Sequence, residues 1–324
     1  MNVANLSLDH LVKARGRIAG RVHRTPLLPS RTLSDRVGAP IWLKCEILQK
    51  TGAFKVRGAL NRLLTLSDEE RARGVSTVSA GNHAQAVAWA ASAAGVSSTV
   101  VMMEHASPTK VRASRAYGAE VILHGDATAA FAKVHEVSAE RGLTFVHPFD
   151  DPEVVAGHAS CGLEILEDLP EVGTILVPVG GGGLSSSIAA AVALSGASVD
   201  VWGVEPRGAA AMHQSMKDGH AVHLETVDTV ADGLGAPMAG VLNHAILSEH
   251  ARGIVLVDDS EIVQAMTMLL ERTKLLAEPS GAAGLAALME GRIDVDPSRP
   301  VVIVISGGNA DLSQLAHLIQ GEAN

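Results

Sequence analysis

Apolar and polar positions follow two rhythms along this chain. Short runs rich in valine, isoleucine and threonine over residues 41–45, 75–79, 98–103, 120–124, 144–147, 174–179, 200–205, 254–257 and 301–306 read as strands. Between them, longer alanine- and leucine-rich segments with helical spacing cover residues 81–94, 110–117, 127–141, 154–166, 184–195, 260–276 and 281–289. Near-continuous apolar strands alternating with helices predict an α/β fold with open, twisted, mostly parallel sheets flanked by helices. Several predicted strands run straight into glycine or polar residues before the next helix, and such turns at the carboxyl ends of strands are where open α/β sheets bind ligands. There is no repeat, low-complexity tract or long linker, so two domains, if present, pack intimately. The tail after Gln320 carries no pattern.

With 324 residues and 47% hydrophobic content, the chain can bury a large core without disulfide or metal staples. Cys45 and Cys161 lie far apart with no CxxC or Cys/His cluster, which fits a reducing cytoplasm. Asp9, His10, Lys13, Arg15 and Arg17 interrupt the N-terminal segment, so no export signal is expected. The alanine-rich stretch 84–101 is broken by Gly95, Ser97 and Ser98 and reads as a core helix followed by a strand, not a membrane span. A net charge of −9 with scattered Lys and Arg argues against nucleic acid and leaves a small molecule as the expected partner.

Four segments carry candidate chemistry. Gly180, Gly181, Gly182 and Gly183 follow a predicted strand and open a helix, a form that sets backbone N–H groups around an anion at a helix N-terminus. No Lys-Ser/Thr pair follows, and Ser185 or Ser186 stands where a dinucleotide fingerprint needs its third glycine, so a non-nucleotide phosphate is favoured over a flexible turn. In the 51–59 segment, Lys55 sits beside Phe54 and between glycines, and a lysine desolvated by an aromatic wall can form a Schiff base with an aldehyde cofactor, although most lysines are solvated surface residues. Ser79, Ala80, Gly81, Asn82 and His83 close a strand and start a helix, a turn suited to a carboxylate or simply an Asn-containing cap. Ser306 ends the last strand, where a hydroxyl can bond a heterocyclic nitrogen, and Glu278 opens the preceding helix.

Together these segments resemble the threonine dehydratase and serine racemase family of fold-type II pyridoxal-phosphate enzymes, in the family's order and over nearly the whole chain. The resemblance implies that Lys55 carries pyridoxal 5'-phosphate, Phe54 packs against its ring, and Asn82 bonds its 3-hydroxyl. It further implies that the Gly180 to Gly183 backbone, continuing into Leu184, holds the phosphate, that Ser306 meets the pyridine nitrogen, with Glu278 beside the cofactor, and that residues 79–83 bind the substrate carboxylate. A small substrate-binding domain, residues 48–147, is then inserted into a large cofactor-binding one, residues 1–47 and 148–324, and two or four copies assemble. The implied reaction is β-elimination from L-threonine or L-serine with Lys55 as general base, giving a 2-oxo acid and ammonia.

Ala80 replaces the serine with which the similar racemases exchange a proton on the far face of the cofactor, so racemisation is disfavoured. Dehydratases acting on hydroxyaspartate or in hydroxyectoine breakdown are also similar, and substrate choice rests on pocket shape. The cation site of racemase-like members is matched at Glu205 and Ala209, but Ala211 stands where a second carboxylate is expected, so no metal is predicted. Residues 156–160, Ala-Gly-His-Ala-Ser, depart from the family's Ala-Gly-Gln-Gly-Thr and are expected to lie clear of the chemical motifs. No further regulatory-sized segment follows the catalytic region, so feedback inhibition by an end-product amino acid is not expected. Two readings from other classes remain: a nicotinamide-dependent dehydrogenase with Glu205 on a ribose, and a non-catalytic amino-acid-binding protein.

Overall fold

The computed structural model describes residues 6–321; residues 1–5 and 322–324, including most of the tail after Gln320, lie outside them. In chain order the strands are β1 (Leu27–Pro29), β2 (Ile41–Cys45), β3 (Val75–Val78), β4 (Ser98–Met102), β5 (Glu120–Leu123), β6 (Thr144–Phe145), β7 (Thr174–Pro178), β8 (Asp200–Pro206), β9 (Gly253–Val257) and β10 (Val301–Ile305). They form a six-stranded sheet, order β1-β2-β10-β7-β8-β9, and a four-stranded sheet, order β5-β4-β3-β6. Every pairing is parallel except β1 with β2.

The continuous apolar runs exist because both faces of the inner strands are covered. Val301, Ile303 and Ile305 of β10 join one core with Leu176, while Val302 and Val304 join the opposite core with Ile175 and Val177. In the smaller sheet Val100 and Met102 point to one side and Val101 to the other. Helix ends follow local chemistry: Asp126 caps the Ala127–Arg141 helix by accepting the Ala129 N–H, and Gly142 closes it at φ +65°.

Two predicted elements differ clearly from the structure, and one strand was not predicted. The 144–147 strand shortens to two residues, because Pro148 cannot donate to a ladder and His147 Nδ1 turns the chain by accepting the N–H groups of Phe149 (3.2 Å) and Asp150 (2.8 Å). The 260–276 helix ends at Met268 and widens into a π-turn over Leu269–Thr273, closed by Lys274 at φ +62°. β1 was not predicted: its three residues end in Pro29, which an antiparallel edge tolerates. Among the helices not predicted is Val56–Leu64, which begins directly after Lys55 and buries Val56, Ala59, Leu60 and Leu63 at helical spacing.

Candidate active site

The carboxyl ends of the two sheets open on one cleft of about 1010 Å³. Every residue assigned above to cofactor or substrate lines it: Phe54, Lys55, the 79–83 turn, the 180–184 loop, Glu278 and Ser306. The Lys55 segment is stitched to the end of β10, since the Phe54 N–H donates to the Ser306 carbonyl (3.1 Å) and the Gly308 N–H to that of Gly52 (3.0 Å). Segments more than 250 residues apart in sequence thereby hold one position.

Lys55 is the N-cap residue of the Val56–Leu64 helix, and its side chain makes no capping bond. Its Nζ instead donates to the Pro148 carbonyl (2.8 Å) and lies 5.1 Å from the Phe54 ring centre. Burial pulls its pKa down to about 8. Around it, burial and the Lys55 charge hold His83 and His158 well below the usual histidine range, so both imidazoles are neutral at physiological pH. Such an amine is readily obtained in the uncharged, nucleophilic form.

The glycine loop is confined from behind. A Cβ on Gly181 or Gly183 would run into Phe149, and one on Gly182, which has φ +93°, into Met212 and Asn243. Gly181 is anchored through its carbonyl, which accepts from the Gly240 N–H (3.0 Å) and from Asn243 Nδ2 (2.9 Å); the same amide reaches the Phe149 carbonyl (3.1 Å) and accepts the Ser186 hydroxyl (3.0 Å). Among the described residues the N–H groups of Gly180, Gly181 and Gly182 meet no protein acceptor. A row of donors at the start of the Gly183–Leu194 helix fits a phosphate group. Asn243, the anchor of this loop, was missed by sequence reasoning because a lone asparagine in an unassigned segment carries no signal.

Asn82 heads the Asn82–Ala94 helix; its Nδ2 donates to Glu278 Oε1 (2.6 Å) and its Oδ1 accepts from Asn309 Nδ2 (2.9 Å). Burial raises the Glu278 carboxyl above its ordinary pKa, only partly offset by that bond. Ser79 Oγ accepts the Gly81 N–H (3.1 Å) and shapes the turn. His83 is buried, with Nε2 within 3.2 Å of the Val146 carbonyl and no partner for Nδ1.

The structure corrects the expectation for residues 156–160. The Pro152–Asp168 helix crosses the Val56–Leu64 helix where Gly157 abuts Gly58, so close that a Cβ on either glycine would collide with the other helix. His158 consequently stacks edge-on against Phe54 (ring centres 4.8 Å apart), and its Nδ1 accepts the Gly58 N–H (3.0 Å). It therefore touches the Lys55 motif directly.

Beneath the motif lies a buried ion network. Arg57 Nε and Nη2 donate to Glu46 (both 2.8 Å), Nη1 and Nη2 to Glu164 (2.7 and 2.8 Å), and Lys44 Nζ to Glu164 (2.7 Å). Arg57 and Glu46 are fully buried, tying the Lys55 helix to the turn that follows β2 and to the Pro152–Asp168 helix.

Glu205 is buried and accepts the N–H groups of Met212 (2.8 Å) and His213 (2.7 Å), and burial pushes its pKa up to about 8. Glu205 does not line the cleft, which counts against the dehydrogenase reading; Ala209 is buried and has no side-chain donor atom. Among the described residues no group of three or more His, Cys, Asp or Glu is placed to hold a metal ion, and no helix is long and apolar enough to cross a membrane.

Comparison with known proteins identifies the family. Residues 18–307 match the family model described as pyridoxal-phosphate dependent enzyme, and the chain belongs to that family. It is 46% identical to the L-threonine ammonia-lyase of Geobacter sulfurreducens over 95% of this chain and 77% of that protein. It is 40% identical to the catabolic L-threonine dehydratase TdcB of Escherichia coli, covering 97% and 96%. The solved structure of maize serine racemase superposes with a TM-score of 0.91 at 37% identity, covering 97% of both chains. The unpaired glycine-loop donors, the half-buried Lys55 with its amine at the cleft and the Ser306 hydroxyl there fit pyridoxal phosphate.

Proposed function

We propose that this protein removes water from a small β-hydroxy amino acid, L-threonine or L-serine, to give a 2-oxo acid and ammonia. The observation that carries the reading is that Lys55, its pKa lowered to about 8, faces the 79–83 turn and the glycine loop across one cleft, while position 80 is an alanine. Lys55 and the 180–183 N–H groups would hold pyridoxal phosphate, which when bound would supply the electron withdrawal that makes the substrate α-proton acidic. The N-terminus of the Asn82–Ala94 helix and the Ser79 turn bind the substrate carboxylate and orient its α-carbon. Once the substrate amine has displaced it from the cofactor, Lys55 Nζ would take the α-proton and the β-hydroxyl would leave as hydroxide, the two together making up the water lost; the enamine set free would tautomerise to its imine and hydrolyse to the 2-oxo acid and ammonia. Ser306 offers a neutral hydroxyl to the pyridine nitrogen, which favours prompt loss of the β-group over transamination. Ala80 has no proton to return to the α-carbon, which favours elimination over racemisation.

The same reading takes residues 48–147 as a substrate-binding domain set into a cofactor-binding one made by residues 1–47 and 148–324, acting in the cytoplasm as a homodimer or homotetramer, which light scattering tests. Purified protein is expected to show the visible band of lysine-bound pyridoxal and to release 2-oxo acid from L-threonine or L-serine. Lys55→Ala is expected to lose both, and Ala80→Ser to gain a D-amino acid product on chiral chromatography. A protein that stays colourless with added pyridoxal phosphate overturns the reading.

A further inference from the structure

The helix that carries Lys55 begins without a side-chain cap of its own. The residue in the N-cap position ordinarily turns its own side chain back to satisfy an N–H of the first turn, but here that residue is Lys55, whose amine points into the cleft and makes no cap bond. A lysine has no acceptor to offer in any case. The third N–H of the helix, that of Gly58, is met from another element: His158 Nδ1 on the Pro152–Asp168 helix accepts it at 3.0 Å. Gly58 permits this approach, since a Cβ there would collide with the His158 ring and the Val154 carbonyl. An Nδ1 that accepts fixes the tautomer with the proton on Nε2, and that N–H is buried with no hydrogen-bond partner. His158 is fully buried, and its ring braces Phe54, the residue before Lys55.

We infer that His158 is a positioning residue for Lys55, capping the Lys55 helix from outside in place of the cap that Lys55 does not provide, and so fixing the direction in which the amine enters the cleft. The inference rests on the proposed role of Lys55 in elimination. Protonation of His158 would abolish the acceptor, and the buried site, facing Lys55, His83 and Arg57, keeps the ring neutral. The role needs an acceptor at this point in space, not an imidazole as such. Glutamine therefore substitutes, whereas methionine, of similar length and without a good acceptor, does not.

Three measurements test this. In nitrogen-15 spectra of the unaltered protein, the His158 ring is expected as a neutral Nε2–H tautomer with a hydrogen-bonded Nδ1 at pH 7; an Nδ1–H tautomer or an imidazolium overturns the inference without any variant. In the variants, His158→Met is expected to lower kcat about 10- to 100-fold with little change in KM, as for a slightly misplaced reacting group, while His158→Gln stays within a few-fold of the unaltered enzyme. Equal kcat for the two variants overturns it. The labelling rate of Lys55 by an acylating reagent in apoprotein, read by mass spectrometry, is expected to change in His158→Met and not in His158→Gln. Because the spectra and the labelling need neither cofactor nor substrate, they separate failure of this inference from failure of the proposed reaction.

Discussion

Replacing Arg57 by methionine removes the guanidinium that two buried carboxylates share. In the intact network burial alone would push Glu46 up, but Arg57, Lys44 and the Thr25 hydroxyl outweigh it and hold the carboxyl below its ordinary pKa. Without Arg57, Glu46 keeps Thr25 and Glu164 keeps Lys44 at 2.7 Å, so neither is wholly abandoned, yet each loses two donated bonds. Removing one partner from a buried ion pair costs about 3–5 kcal/mol. That is a large part of the roughly 5–15 kcal/mol by which folded proteins are stable. The sign of the pH dependence follows from linkage. A carboxyl whose folded pKa is depressed contributes stability above its unfolded value of about 4.3, and loses it as pH falls through the lower folded value. In Arg57→Met the burial effect dominates, the folded pKa of Glu46 rises above about 4.3, and the penalty grows with pH through that window. Guanidinium unfolding followed by circular dichroism should therefore give a larger loss at pH 7 than at pH 5, and adding Glu46→Gln should recover part of it. A loss below about 1 kcal/mol that is the same at both pH values would refute the assignment of this network as the clamp on the Lys55 helix.

Gly181→Ala drives a methyl into the Phe149 ring, and overpacking of about 1–3 kcal/mol, if it falls on the cofactor-bound form, should weaken pyridoxal phosphate binding roughly 5- to 150-fold, read by fluorescence titration of apoprotein. Asn243→Leu leaves the Gly181 and Phe149 carbonyls and the Ser186 hydroxyl without this partner, costing about 1–3 kcal/mol, and should lower both the unfolding temperature and cofactor affinity. In apoprotein, acylation of Lys55 should rise with pH through a midpoint of about 8, whereas ordinary lysines follow a midpoint of about 10.4.

The chain's pattern alone made the strands of both sheets legible except β1, most clearly the inner ones, because a strand buried on both faces must be apolar throughout and must end at a turn. The four candidate segments were legible for a related reason, and the structure brings them to one cleft: the chemistry proposed for them needs adjacent glycines or small residues before a helix, features that are local in sequence. What the sequence could not display is which distant side chains complete those segments. His158 meets Gly58 across 100 residues, Asn243 meets Gly181 across 62, and Glu164 meets Arg57 across 107. Each is an unremarkable residue on a helix until packing brings it to an N–H, a carbonyl or a charge left unsatisfied by the local fold. The short-range chemistry proposed for Lys55, Ser306 and the glycines was set by sequence. The supports that aim that chemistry were decided by tertiary structure, because an unpaired buried polar group is satisfied by whichever element lies nearest in space.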